Sequence, residues 1–279
     1  MAPGQWPGWG PVASLVTLAS DNMVLMSKLL IHSDLRGFDF SSLVSSLSRP
    51  DINAVMLDFA FESIESLAAE AEIFLPAFNY DFTATRIFDP LRDVPQVGRL
   101  PVAAMGRPGW FRSRTPVFSF LSSKEESVAY ANPFSEDSFF SELRSNGEKI
   151  LLLGVGFERF TFIHHVEYVA NVPYRYEKEF GGVRVEGTSD IPCEVTFHVR
   201  PLGLGLDYDF SKIGDFLLGT GAAVITNQRM ITVDARSASE VLLDKLADDE
   251  FFLLSADSRG EVEARLQTLG RPFMKGDFE

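Results

Sequence analysis

The chain has 279 residues, 46% hydrophobic and 23% charged, enough for one large domain with a substantial core and far from a disordered composition. Its net charge of −14 argues against nucleic acid or an anionic membrane as the main partner. The single cysteine, Cys193, excludes an intrachain disulfide and a multi-cysteine zinc site.

The acidity is compatible with a cationic substrate, but plain solubility is the reading it favours. The opening MAPGQWPGWGPVASL has no basic residue before Lys28 and does not read as a signal peptide. No apolar run of about 18 residues occurs, so no membrane span is expected, and a cytoplasmic enzyme is.

In chain order, the continuous apolar runs KLLIHSD (28–34), EIFLPAF (72–78), VFSFLS (117–122) and KILLLGV (149–155) predict strands of a sheet covered on both faces. Between residues 79 and 116 lie Pro90, Pro95, Pro101, Pro108 and Pro116 with little periodicity, a connection of the length that often carries function. SFFSELRSNG predicts a helix with serine in front and an Asn-Gly stop. FGGVRVEG reads as a hairpin edge, and CEVTFHVR alternates: Val195, Phe197 and Val199 face one way, while Glu194, Thr196, His198 and Arg200 face the other. Ser237 with Glu240, and Ser258 with Glu261, are capping-box patterns, and Gly270 stops the second of these helices. There is no repeat and no linker. These elements predict a single α/β domain over residues 1–279, with a mixed sheet between helices.

FTFIHHVEY (160–168), directly after KILLLGVG, holds two of the four histidines. Thr161 can cap a helix beginning just after it, which places His164 near the third helical position. His164 and Glu167, three apart, then share a face, while His165 points about 100 degrees away. An imidazole with a carboxylate beside it can move a proton near neutral pH or hold an ammonium group. The same spacing also fits a solvated surface pair. The adjacent histidines diverge on a helix and no H-E-x-x-H run occurs, so no metal site is expected. Gly154 and Gly156 lack the third glycine of a nucleotide-binding loop. Cys193 and His198 read as a small core residue and a residue on the polar face of its strand.

GEKILLLGVGFERFTFIHHVEY resembles the strand followed by T-x-x-H-x-x-E of the aminoglycoside 3-N-acetyltransferase family. LLIHSDLRGF resembles that family's V-H-S-S-L motif, IFLPAFNYDF its L-x-M-P-T-F block, and IFDPLRDVPQVGRLPVAAMGRPGWFRSRTPVFSF its F-D-P to R-S-x-H-P-x-x-S-F stretch. NPFSEDSFFSELRSNG is similar to its P-F-G block, and FSKIGDFLLGTGAAVI to its late helix and hairpin. The likeness runs over roughly residues 24–254. Thr115, Asp34 and Ser135 stand where the family has histidine, serine and glycine.

The resemblance implies a three-layer α/β/α sandwich around a mixed sheet and transfer of acetyl from acetyl-CoA, with no metal, to a primary amine. His164 would be the general base, with Glu167 and Asp89 as catalytic partners that bind the acceptor's ammonium or hold the imidazole. His32, Ser33 and Asp34 would lie against the thioester and pantetheine arm, and Arg112, Ser113 and Ser119 would flank the coenzyme. The departures at residues 34 and 115 favour an amino sugar or another small biosynthetic amine as acceptor. The alternatives are an aminoglycoside, giving antibiotic resistance, or a degenerate member that binds CoA without turnover. A homodimer is compatible with this reading.

Overall fold

The computed structural model describes residues 27–40, 52–68, 71–124, 128–227 and 229–278, so the opening segment read above lies outside the described residues. The described strands are, in chain order, β1 (Lys28–Ser33), β2 (Glu72–Pro76), β3 (Ile87–Phe88), β4 (Phe111–Arg112), β5 (Phe120–Ser122), β6 (Lys149–Leu153), β7 (Tyr176–Glu186), β8 (Ser189–Val199), β9 (Ala223–Asn227) and β10 (Met230–Asp234). Seven form one mixed sheet in the order β4-β5-β2-β1-β6-β10-β9, and β3-β7-β8 form a second. The central strand β1 pairs parallel with both β2 and β6; the flanking strands are antiparallel.

The apolar runs earn their buried positions by pleat. Leu29 and Ile31 of β1, with Leu151 and Leu153 of β6, enter one core, where they meet Phe61 and Ile64 of helix α1 (Ile52–Ala68). Leu30, Ile150 and Leu152 enter the opposite core. Between these segments the chain adds α2 (Phe82–Thr85) and α3 (Arg99–Ala104). The second core is covered by α4 (Phe139–Asn146), α5 (Ile163–Ala170) and, after α6 (Phe210–Gly219), by α7 (Ala235–Asp248); α8 (Ala256–Leu269) closes the order. The result is the expected α/β/α sandwich. Many of the chain's 25 phenylalanines collect on the second side, where Phe120 meets Phe139 at 4.5 Å and Phe118 meets Phe134 at 4.7 Å.

Three local expectations shift. The strand at 117–122 begins only at Phe120, because Val117 takes φ 67°, a left-handed turn that a β-branched residue adopts at a cost of about 1–3 kcal/mol. The serines at 237 and 258 are not N-caps. Asp234 caps α7 by accepting from the Ser237 amide at 2.7 Å, and Ser255 caps α8, so both helices begin earlier than the capping-box pattern suggested. Ser258 instead donates to the Gly205 carbonyl at 2.7 Å. Ser138 and Gly147 bound α4 as expected.

From β1 the chain goes to the α1 face, and from β6 to the α5 face. The ends of these two parallel strands therefore form the crevice at which such sheets bind ligands. The segments leaving the two strands cross closely: a Cβ on Gly37 would sit 2.6 Å from backbone atoms of Leu153 and Gly154. Glycine is required there by contact. The second sheet closes one side of this region. Its β7–β8 ladder runs from Tyr176 opposite Val199 to Glu186 opposite Ser189, with Gly187 (φ 63°) in the hairpin turn.

Candidate active site

The site begins where the chain leaves β6. Gly154, at φ 71°, turns it outward, a 3-10 turn spans Phe157–Arg159, and α5 starts at Ile163. Thr161 does not cap this helix; Phe162 occupies the N-cap without a side-chain bond, and the Thr161 hydroxyl lies 3.3 Å from His32 Nε2 instead. His164 is thus the second residue of α5, not the third. Asn171, at φ 49°, ends the helix and turns the chain back, so that Arg175 passes against its inner face.

His164 and Glu167 meet as the spacing predicted, with Nδ1 and Oε2 2.8 Å apart. The carboxylate is fully buried and has further partners. The Arg175 Nε lies 2.8 Å from the same oxygen, and the Tyr208 hydroxyl donates to the other at 2.7 Å. Arg175 also donates to the Tyr208 oxygen and, at 3.1 Å, to the His198 carbonyl. Burial raises the Glu167 carboxyl, but Arg175 and the bonds from His164 and Tyr208 bring it down to about 2. An ionised carboxylate only accepts, so the imidazole carries its proton on Nδ1. Burial and then Arg175 lower His164 below its usual range, leaving the ring neutral near pH 7. Nε2 is not among the buried unpaired side-chain atoms, and the side chain is 28% exposed. It opens into a cavity of about 640 Å³, whose walls include Tyr80, Phe118, Phe134, Phe180, Phe197 and Tyr208. A neutral imidazole with one nitrogen anchored and the other facing a cavity can take up a proton there.

The structure places the other expected residues less simply. His32 is buried beside Thr161 at the end of β1, lowered to about 3 by burial and then by Arg159. Ser33 ends that strand, and Asp34 caps the turn at Leu35–Gly37, where it pairs with Arg36 at 2.9 Å. Asp89 is the acceptor of an Asp-Pro turn, bonded to the Leu91 and Arg92 amides at 2.9 and 3.2 Å, and it does not line the cavity. Arg112, Ser113 and Ser119 do not line it either. Arg112 donates to Ser119 Oγ at 2.9 Å and to the Ala77 carbonyl at 2.7 Å, Ser119 donates to the same carbonyl, and Ser113 accepts from the Phe120 amide. These three side chains tie β4 and β5 to the segment after β2. Thr115, buried, accepts from the Tyr130 amide at 2.9 Å. His165 faces away as expected and bonds the Phe134 carbonyl at 2.8 Å. His198 lies on its predicted face, but that face is covered: its ring is buried 4.9 Å from Tyr168, not solvated. Cys193 is half-buried on β8, opposite Gly182.

Sequence reasoning missed Arg175 and Tyr208. They lie 8 and 41 residues from Glu167 and share no period with it, so no spacing rule connects them.

All four histidines are held below their usual value by burial first, His198 to about 4 and His32 to about 3. The unfolded chain therefore binds more protons below pH 6.5. Their contribution is complete above that pH and is lost as pH falls towards the folded values. Urea unfolding is expected to show roughly 4 kcal/mol less stability at pH 5 than at pH 7 from His32 and His198 alone. An unchanged midpoint would contradict the buried neutral rings.

The sequence profile of the family described as aminoglycoside 3-N-acetyltransferase matches residues 66–247, about two thirds of the chain. The chain belongs to the aminoglycoside 3-N-acetyltransferase family. Among curated members, aminoglycoside N(3)-acetyltransferase VII of Streptomyces paromomycinus is 38% identical over 82 residues, covering 27% of this chain and 28% of that protein. Aminoglycoside N(3)-acetyltransferase VIII of Streptomyces fradiae is 32% identical over 100 residues, 32% of this chain and 35% of that one. The chain thus matches only about a third of the length of these curated relatives. The fold extends further. The structure of AAC-IIIb with CoASH superposes at a TM-score of 0.65 with 19% identity, covering 84% of this chain and 95% of that one. The YokD protein from Bacillus subtilis superposes at 0.59 with 16% identity, covering 80% and 93%. Within this family fold the T-x-x-H-x-x-E block is the β6-to-α5 junction just described.

Among the described residues, no group of three or more His, Cys, Asp or Glu is placed to hold a metal ion. No described helix is long and apolar enough to cross a membrane.

Proposed function

We propose that this family member is an acetyl-CoA-dependent N-acetyltransferase acting on a primary amine. The observation that carries the reading is the His164 ring, with Nδ1–H on ionised Glu167 and Nε2 open to the cavity. In the reaction, the amine nitrogen attacks the thioester carbonyl while Nε2 removes a proton from it. The new C–N bond forms, the C–S bond breaks, and the proton leaves with the sulfur as free thiol. Glu167 fixes the tautomer and stabilises the imidazolium. Its carboxylate is already occupied by Arg175, Tyr208 and His164, so it acts as a positioning residue and not as the contact for the acceptor's ammonium.

The crevice at the ends of β1 and β6 is the natural place for the acyl donor. The exposed cation Arg159 lies there, close enough to His32 and Asp34 for its charge to lower both. In this reading His32, Ser33 and Asp34 shape the donor crevice through the strand end they build.

For the acceptor, the names of the curated relatives favour an aminoglycoside amine over the more general amino sugar. The deciding experiment follows thiol release from acetyl-CoA with gentamicin, apramycin and simple amino sugars. Thiol release matched by acetylated amine is the expected result. CoA binding with no turnover of any amine would support the degenerate reading.

A further inference from the structure

Thr161 stands just before α5, where a threonine ordinarily turns its hydroxyl to a helix amide. Here it does not. Its main chain is used on both sides: the amide donates to the Arg159 carbonyl at 2.9 Å, and the carbonyl accepts from the His164 amide at 3.1 Å. The second bond fixes Thr161 one turn before the imidazole. Its side chain is half-buried and lines the same cavity as His164. The hydroxyl lies 3.3 Å from Nε2 of His32, at the end of β1. Thr161 therefore stands where the acyl-donor crevice meets the acceptor cavity.

Acyl transfer has a need at that junction. When the amine attacks, the thioester's carbonyl oxygen becomes negative and requires a hydrogen-bond donor already in place. Backbone amides usually serve, but three at these strand ends are committed elsewhere. The Asp34 amide donates to the Leu153 carbonyl at 2.9 Å, that of Gly154 to the Arg229 carbonyl at 2.7 Å, and that of Gly156 to Glu158 Oε1 at 3.0 Å. A hydroxyl has one proton and two lone pairs, so it can accept on one side and donate on the other. His32 is buried and neutral near pH 7, lowered to about 3 by burial and then by Arg159, so its ring keeps a single proton. With that proton on Nε2, Thr161 Oγ1 accepts from His32 and turns its own hydrogen towards the cavity.

We propose that Thr161 is a further catalytic residue, its hydroxyl donating a hydrogen bond to the thioester oxygen as that oxygen becomes negative, with His32 as the positioning residue that orients the hydroxyl. No proton is transferred in this contact, and the oxygen returns to a carbonyl when the C–S bond breaks. The inference rests on the acetyl-transfer reading, and it gives the strand-end histidine a part in the chemistry beyond shaping the crevice.

The test is steady-state thiol release with the fastest of gentamicin, apramycin and glucosamine as acceptor. The donors are acetyl-CoA and its dithioester analogue, in which sulfur replaces the carbonyl oxygen. Thr161→Val matches the side chain's shape without its hydroxyl, and it is expected to lower kcat with acetyl-CoA by about 10²-fold at little change in KM. Thr161→Ser keeps the donor and should retain most of the rate. With the dithioester the loss in Thr161→Val should shrink, because sulfur is a weak acceptor. His32→Leu should lower kcat by itself and cost nothing further beside Thr161→Val, as expected of two groups acting through one contact. A Thr161→Val protein that loses stability in urea at unchanged kcat makes the hydroxyl a structural pin and overturns the inference. So do equal losses with both donors, or losses at the two positions that add. No thiol release by the unmodified protein with any of the three amines overturns the acetyl-transfer reading, and this inference with it.

Discussion

Replacing His164 with alanine is expected to lower kcat for amine acetylation by about 10²–10⁴-fold, the usual contribution of a positioned general base. The fold should survive, because the ring lines a cavity and is not wedged into the apolar core. KM for acetyl-CoA should change little. In the intact protein, kcat/KM should fall on the acid side of pH 6.5 as His164 becomes protonated, since burial and Arg175 hold the ring below its ordinary value. Full activity in His164→Ala, with any amine, would remove the mechanism.

Glu167→Gln is expected to be costly in two measurable ways. The carboxylate balances the buried Arg175 guanidinium at 2.8 Å, and removing one partner of such a pair leaves the other charge buried and uncompensated. A loss of about 3–5 kcal/mol in urea unfolding at pH 7 is the expected size. Because a buried pair can often be replaced as a unit, Glu167→Gln combined with Arg175→Met should regain part of that loss. The second effect is on chemistry. Glu167 is the group that raises His164 against burial and Arg175, so its loss should move the acid limb of kcat/KM to lower pH and reduce kcat. A purely structural glutamate would leave the limb in place. Acceptor affinity should be unchanged, because the oxygens face Arg175, His164 and Tyr208 and not the cavity.

The sheet was legible because its central strands are buried on both faces and so read as unbroken apolar runs, as in KILLLGV and EIFLPAF. The helix ends were less so. The serines at 237 and 258 fit a capping pattern, but Asp234 and Ser255 stood three residues earlier at the ends of extended segments, where the backbone could use them. Val117 shortened a strand by taking a conformation that no propensity would assign to it. Asp89 and Arg112 show the limit of carrying a role by motif: each is conspicuous in its block, and each spends its polar atoms on turns and strand ends.

By itself the sequence determined the layered α/β fold, the family motif, and the pairing of His164 with Glu167, because a three-residue helical spacing is a local constraint that holds wherever the helix goes. The tertiary structure alone decided what that pair could do. Arg175 and Tyr208, brought in from elsewhere in the chain, use up the carboxylate and so fix the proton on one imidazole nitrogen.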